Sequence, residues 1–547
     1  MPSLCSSLLE LVGQSAQPTE IQALSLVHSL RDKPLPQYSL LASETGSGKS
    51  IAYLLPLLQT LKISELDGSS QCQPSKATYS PRAVVLAPTH ELSRQLSSFA
   101  KALSHGIKLR IVCASRANTP STSKSLERTH GGMRASKMSH GFGSGVIYDN
   151  APSTDAVCIV DQTKQGRPVD VVVGTPMKLL EMSRGRGWDR TQDKHDQRVR
   201  MDDEVEGPES EDLASSQPRR RGIDVKGGTC TTMSPEISFE NVEWVIIDEA
   251  DVLFDRDFQE TTRLLLADIS AARGVRIDYT AQSSLSIAAP YETGKMPVGD
   301  TSDVQQSETD VERIDYPFRL TLSSATIPTA LYKYLKRHHP DISILAASNL
   351  HHLPKNLKTQ HVGWSGGNKN ADIEKQIRTI WSNNATNAYS KGIREPTLSK
   401  ILIFCNKSSK VADLSQYLEQ KGIRTVALSS SSVQRRRGSN KHLDGFLQPH
   451  ARTGTLPIHN GPPASPQDVP HVMITTSLLS RGLDFLPSIN VFIVDEPRNT
   501  IDFLHRAGRS GRAGHKGRVY LFSRMSGRGS ERAREVRKRV SSLVRRA

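Results

Sequence analysis

The sequence predicts an α/β chain with two successive parallel sheets flanked by helices. Short β-branched runs recur, amphipathic stretches alternate with them, and a gap divides the runs into two groups. The first group holds Tyr38 to Leu41, Ala83 to Leu86, Val171 to Val173, Val245 to Ile247 and Leu320 to Leu322. The second holds Ile401 to Phe404, Val472 to Ile474, Val491 to Val494 and Val519 to Leu521. Continuous apolar runs of this length suit strands covered on both faces, as in a parallel sheet. Helices are expected over Ile51 to Leu58, Leu92 to Leu103 and Ser408 to Lys421, where apolar residues follow helical spacing.

This pattern sets expected boundaries. A first lobe runs over 1–347, a connection over 348–395, a second lobe over 396–524 and a basic tail over 525–547. Four polar or Gly/Ser/Pro-rich segments, 115–168, 183–235, 274–314 and 447–470, read as flexible insertions on loops. The tail reads as a helix whose Arg534, Arg537, Lys538 and Arg539 could meet nucleic-acid phosphates or simply face water.

Composition narrows the function. Net charge is +15 and pI about 9.5, a balance that favours a polyanionic partner. The six cysteines form no CxxC pair and share no metal-ligand spacing with histidine, so a reducing compartment and no structural zinc are expected. No apolar run approaches membrane-spanning length.

Two motifs carry the chemistry. Ser43-Glu44-Thr45-Gly46-Ser47-Gly48-Lys49-Ser50 lies between a strand and a helix. Glycines there let the backbone curl its N–H groups toward phosphate, and the following helix N-terminus adds positive potential. Lys49 would reach the β- and γ-phosphates of ATP, and the Ser50 hydroxyl would bind Mg²⁺. Ser43 stands where the first glycine of such a loop usually sits. Downstream, the apolar run ending at Ile247 leads into Asp248-Glu249-Ala250-Asp251. A rigid strand end lets Asp248 hold the magnesium shell, and Glu249 would polarise the attacking water as general base.

With these motifs in order, the chain resembles the DEAD-box RNA helicases over both lobes. Pro18-Thr19-Glu20-Ile21-Gln22 resembles the family's adenine-reading motif, with Gln22 on the adenine edge. Pro88-Thr89-His90-Glu91-Leu92 and Thr175-Pro176-Met177-Lys178-Leu179 resemble motifs that line the RNA path. Ser324-Ala325-Thr326 matches the motif linking hydrolysis to unwinding. In the second lobe Thr476 to Asp484, including Arg481 and Gly482, resembles motif V. The resemblance places Thr476 on an RNA phosphate and Asp484 on the ribose. His505 to Arg512 matches HRxGRxGR and implies Arg509 and Arg512 at the γ-phosphate.

The implied architecture is two RecA-like lobes clasping ATP and Mg²⁺, acting as a monomer on RNA with little sequence preference and no membrane association. Departures from the pattern are His90 for arginine, Ser477 for aspartate, Glu44 for glutamine, Val252-Leu253-Phe254 after the tetrapeptide, and no aromatic residue ahead of Gln22. Stretches such as Gln37 to Lys49, Ala102 to Pro120 and Thr500 to Phe503 are similar to fungal mitochondrial DEAD-box helicases. That implies a mitochondrial location and work on mitochondrial ribosomal RNA during large-subunit assembly. The first twenty residues contain no arginine or lysine, so a targeting segment is expected upstream of Met1. Competing readings are an ATP-gated RNA clamp with little unwinding, a DNA translocase on the same scaffold, and a scaffold that has lost catalysis.

Overall fold

The computed structural model describes residues 1–30, 37–68, 79–115, 168–185, 236–277, 313–348, 356–365, 367–390, 398–443, except 430–439, then 445–448, 470–512, 515–523 and 531–546, with Leu350 and Leu353. Most of each of the four expected insertions lies outside the described residues.

The first lobe is a seven-stranded sheet in the order β3-β4-β2-β5-β6-β1-β7. Its strands are β1 (Tyr38–Ala42), β2 (Ala83–Leu86), β3 (Ile111–Ala114), β4 (Val171–Gly174), β5 (Trp244–Ile247), β6 (Arg319–Ser324) and β7 (Ser343–Ala346). All pair in parallel, which carries the end of β5, and so Asp248, up beside the ends of β2 and β6. β1 to β5 are buried throughout, as their unbroken apolar runs require.

Helices cover both faces. α1 (Pro2–Val12) and α2 (Glu20–Ser29) precede the sheet, and α3 (Lys49–Leu66) follows the glycine-rich loop. Pro56 inside α3 has no N–H for the carbonyl of Ala52; the Ser25 hydroxyl donates to that oxygen instead, at 2.7 Å. α4 (His90–Ser104) is capped by Thr89, whose hydroxyl accepts from the Leu92 N–H, and it buries Leu92, Leu96, Ala100 and Leu103. α5 (Pro176–Arg184), the short α6 (Ala250–Leu253), α7 (Gln259–Ala272) and α8 (Thr329–His338) complete the lobe.

The second lobe is a six-stranded parallel sheet ordered β10-β11-β9-β12-β13-β8. It comprises β8 (Leu357–Gly363), β9 (Ile401–Cys405), β10 (Thr425–Leu428), β11 (Val472–Thr476), β12 (Asn490–Ile493) and β13 (Gly517–Ser523). Its helices are α9 (Lys369–Tyr389), α10 (Ser408–Gln420), α11 (Ser477–Ser480), α12 (Thr500–Ala507) and α13 (Glu531–Arg546).

Two expected boundaries shift. The stretch 348–395 is mostly second lobe, because β8 pairs with β13 over seven residues and α9 buries Ile373, Ile377 and Ile380 against the sheet. The tail is also part of that lobe: Val536 and Val540 of α13 enter the core beside Phe485 and Phe503. Arg537 Nε donates to Glu496 at 2.8 Å. Cys5, Cys113 and Cys405 are free thiols. No helix among the described residues is long and apolar enough to cross a membrane.

Candidate active site

The site forms where the C-terminal ends of both sheets meet. On the lobe-one side, Gly46 and Gly48 adopt positive φ, +84° and +85°, which lets the loop close over the start of α3. A Cβ at Gly48 would collide with Gln22 Nε2 and push the Gln22 amide out of its bridging position, so the conformation requires glycine and the brace favours it. Gln22 is buried and bridges. Its amide oxygen accepts from the Thr19 N–H at 3.0 Å, and its NH₂ donates to the Gly48 carbonyl at 3.2 Å. Thr19 completes the brace with a 2.8 Å bond to the Ser47 carbonyl. The Gln22 motif thus fixes the loop's shape from below.

Lys49 Nζ donates to the carbonyls of Ser43 and Glu44, each at 2.7 Å. The Ser43 N–H in turn bonds the Ser324 carbonyl at 3.2 Å. Burial lowers the Lys49 ammonium to about 8, against the pull of Glu249 and Asp248. Burial, with the neighbouring Glu249 charge, raises Asp248 to about 6. Glu249 has φ of +52°, a left-handed conformation that is rare outside glycine and costs on the order of 1 kcal/mol. It turns the chain sharply from β5 into α6 and aims the carboxylate into the cleft.

Asp251 is the hub of the site. Its Oδ1 accepts from Ser324 Oγ at 3.0 Å, and its Oδ2 from Thr326 Oγ1 at 3.2 Å. From the opposite lobe, Arg481 Nη1 and His505 Nε2 each lie 3.3 Å from Oδ2. His505 Nε2 is also 3.3 Å from Thr326 Oγ1, and its Nδ1 lies 4.0 Å from Glu249 Oε2. Burial, reinforced by Arg481, lowers the imidazole to about 3, so the ring is neutral and its Nε2–H donates toward Asp251. Glu249, Asp251 and His505 lie close enough to cage a cation, yet the Asp251 contacts already occupy its oxygens.

The lobe-two arginines are held from behind. Arg509 donates to the carbonyls of His505 and Leu483, at 3.0 and 3.2 Å. Burial and then Arg512 lower its guanidinium to about 9. Arg512 donates to the Gly508 carbonyl and pairs with Asp484 Oδ1 at 2.7 Å. Asp484, expected at the ribose, therefore orients Arg512. Across the cleft, Thr45 Oγ1 donates to the Gly508 carbonyl at 3.0 Å, and Arg512 Cγ lies 3.0 Å from where a Cβ on Gly46 would be. The lobes are closed on each other.

Three buried polar atoms lining this junction, Glu249 Oε2, His505 Nδ1 and Arg509 Nη2, have no hydrogen-bond partner. Buried groups left unpaired are costly, and a carboxylate and a guanidinium aimed at one cleft are complementary to water and phosphate oxygen. The residues present fit a nucleoside triphosphate.

The expected RNA-side motifs also meet lobe two. Asn440 Nδ2 donates to the Glu91 carbonyl, and Arg94 donates to Asn440 Oδ1, at 3.0 and 3.2 Å. Gln95 Oε1 accepts from the Asp484 N–H, and Gly482 packs on Leu92. Pro88 is buried, and Thr89 caps α4. Thr175 follows β4 and precedes α5, with Pro176 at its first turn, while Thr476 ends β11 and precedes α11. Ser477, in place of the motif aspartate, bonds Asp502 at 2.7 Å and accepts from Arg506 at 2.8 Å. Arg506 is fully buried, bonded twice to Asp502 and once to Asn406. Burial pushes Asp502 up, but Arg506 and further hydrogen bonds hold it below its ordinary range. Of the residues the structure adds to the site, Gln95 and Asn440 carry no signal in the sequence, whereas Asp251 is the last letter of the tetrapeptide and Arg506 the arginine after His505 in HRxGRxGR.

Known proteins resemble this chain in sequence and in fold. Residues 19–138 match the DEAD/DEAH box helicase model and 387–514 the helicase conserved C-terminal domain. The mitochondrial ATP-dependent RNA helicase MRH4 of Cryptococcus neoformans is 31% identical, over 95% of this chain and 80% of that protein. This chain belongs to the DEAD-box family of ATP-dependent RNA helicases. The fold resembles S. cerevisiae Dbp5 solved with RNA and ADP BeF3, at TM-score 0.53 and 15% identity, covering all of this chain and 91% of that one. It also resembles Mss116p solved with single-stranded RNA and AMP-PNP, at TM-score 0.54 and 14% identity, covering all of this chain and 80% of that one. As a member of that family, the chain is an ATP-dependent enzyme built from two RecA-like lobes.

Proposed function

We propose that this helicase couples ATP hydrolysis to gripping and locally separating RNA strands, and that its substrate is mitochondrial RNA, including large-subunit ribosomal RNA. The observation that carries the coupling is the Asp251 hub. One carboxylate binds the Ser324 and Thr326 side chains of lobe one and the Arg481 and His505 side chains of lobe two. Any movement at the neighbouring Glu249 is therefore transmitted to motif V, which carries Thr476.

Ser50 and Asp248 would hold Mg²⁺, whose charge would offset that of the phosphates. Lys49 leaves the loop carbonyls to meet phosphate oxygen. Glu249, with its unpaired oxygen, accepts a proton from the attacking water. Arg509 Nη2 and Arg512 stabilise the charge that builds on the transferred group. Thr89, Thr175 and Thr476 offer hydroxyls to the RNA backbone, so binding tolerates sequence and weakens with salt. The protein acts as a monomer, since one chain supplies both halves of the cleft. The mitochondrial assignment is supported by the relatives named mitochondrial MRH4.

The test pairs an ATPase assay with strand displacement of a short RNA duplex. Glu249→Gln should keep nucleotide and RNA binding while turnover falls by a factor of about 10² to 10⁴, the usual worth of a general base. Near-normal RNA-stimulated phosphate release would refute the role of Glu249. Turnover without displacement would instead make the protein an ATP-gated clamp. Crosslinking in cells, followed by sequencing, should recover mitochondrial large-subunit ribosomal RNA.

A further inference from the structure

The C-terminal helix α13 has an apolar stripe and a basic stripe. Val536 and Val540 enter the lobe-two core, and Leu543 packs against it. Hydrophobic docking therefore fixes which side faces solvent, where Arg534 and Lys538 are exposed.

Where this face lies follows from the hydrogen bonds. Arg537 anchors α13 to Glu496, at 2.8 Å. The Glu496 carbonyl accepts from Asn406 Nδ2 at 2.9 Å, and Asn406 Oδ1 accepts from Arg506, which also holds Ser477. The helix is thus joined through Glu496, Asn406 and Arg506 to the residue next to Thr476. Along the same strand ends, Lys407 and Arg498 are exposed.

Charge balance separates this face from an ordinary solvated helix. Glu496 pairs with Arg537, Asp495 with Lys410, and Glu535 with Arg539. Lys407, Arg498, Arg534 and Lys538 form no ion pair among the described residues. Glu531, exposed one turn before Arg534, offsets part of this charge, and the net positive stripe that begins beside the motif V strand end is complementary to a phosphate backbone.

We infer that the exposed face of α13, with Lys407 and Arg498, is a second RNA-backbone track that continues the cleft's RNA path over lobe two. This rests on the cleft itself binding RNA. The occupant is single-stranded RNA leaving the lobes, held by phosphate contacts without base readout. An acidic protein surface is the competing occupant, and continuity with the Thr476 strand end favours RNA.

The test compares the full chain with the double variant Arg534→Gln/Lys538→Gln. One oligouridylate spans the two lobes only; the other is long enough to reach α13. Each phosphate contact on a single strand adds about 0.7 to the slope of log affinity against log salt, so the variant should lower the long-oligomer slope by about 1.4. That slope difference is a roughly 25-fold affinity difference per tenfold change in salt. Short-oligomer binding and the ATPase rate at saturating short RNA should not change. Equal long-oligomer slopes in the two proteins would overturn the inference. So would an equal loss on both oligomers, which would place the effect in the cleft, or loss of binding only to a polyglutamate competitor. If the cleft does not bind RNA, the wild-type protein itself fails to bind the short oligomer, a result distinct from any of these.

Discussion

The two halves of the cleft are built by different means. Lobe one sets its site with backbone: two glycines at positive φ, a glutamate at φ +52°, and a lysine bonded to its own loop carbonyls. Lobe two sets its site with side chains, each arginine being aimed by a carbonyl or a carboxylate behind it. The backbone half is a preformed cradle whose geometry is local. The side-chain half is a set of buried cations, tolerable only while their partners stay in place. The lobe-one half should therefore govern nucleotide binding and the lobe-two half turnover, with Asp251 joining them.

The sharpest way to break this comparison is at Arg509. Its Nη2 is a buried atom without a partner, so Arg509→Ala should remove transition-state stabilisation, along with the hydrogen bonds that Arg509 gives the His505 and Leu483 carbonyls within lobe two. Turnover should fall on the order of 10³-fold, the lower range for an arginine finger, while nucleotide affinity stays close to wild type. Single-turnover hydrolysis beside fluorescent-nucleotide titration separates the two, and a comparable loss of nucleotide affinity would show that lobe two also binds the ground state.

Asp251 comes next. Asp251→Asn keeps the shape but removes the charge that faces Arg481 at 3.3 Å and replaces one acceptor with a donor. RNA stimulation of the ATPase should fall by roughly 100-fold, within the range of a coupling free energy, with basal hydrolysis reduced far less. Equal losses in both rates would mean that the residue acts within lobe one alone.

Much of this design can be read from the chain, and the unreadable parts share a cause. The central strands stand out because both faces are covered and every residue must be apolar. β8 does not stand out: Leu357 is buried, but Lys358, Gln360 and His361 are exposed, so 348–395 reads as a connection. β7 and β10 alternate for the same reason. Within the site, motifs state which residues meet a ligand but not which residues meet each other. Asn440 with Glu91 and Asp484 with Gln95 are pairs separated by hundreds of positions, and neither has a local signature. The Ser477 departure becomes intelligible only in place, where its hydroxyl joins the Asp502–Arg506 pair.

Closure should also depend on pH through His505. With the lobes apart, the imidazole would meet water and titrate near its ordinary value of 6.5; in the closed cleft it is lowered to about 3. The open form then binds more protons between those values, so closure is intact above about 6.5 and weakens as pH falls below it. Each unit of pH below 6.5 should weaken closure about tenfold, as read by fluorescence transfer between dyes on the two lobes with nucleotide and RNA present. His505→Gln, which keeps a donor for Asp251 but cannot titrate, should flatten the dependence. An unchanged profile in that variant would assign the titration to another group.

The smallest effect expected is at Gly482, where the two building styles touch. Its φ of +70° is a backbone requirement inside the side-chain half, and a Cβ there would collide with Leu92 Cδ2 in lobe one. Gly482→Ala should cost about 1 kcal/mol from conformation and a few tenths of a kcal/mol from the collision with a flexible side-chain end, weakening closure roughly tenfold. Combining it with Leu92→Val separates the two contributions. If the collision dominates, the smaller side chain restores most of the closed population. If the left-handed backbone dominates, the double variant stays as weak as Gly482→Ala, and the contact surface of lobe two is then set by its own backbone, as the cradle of lobe one is.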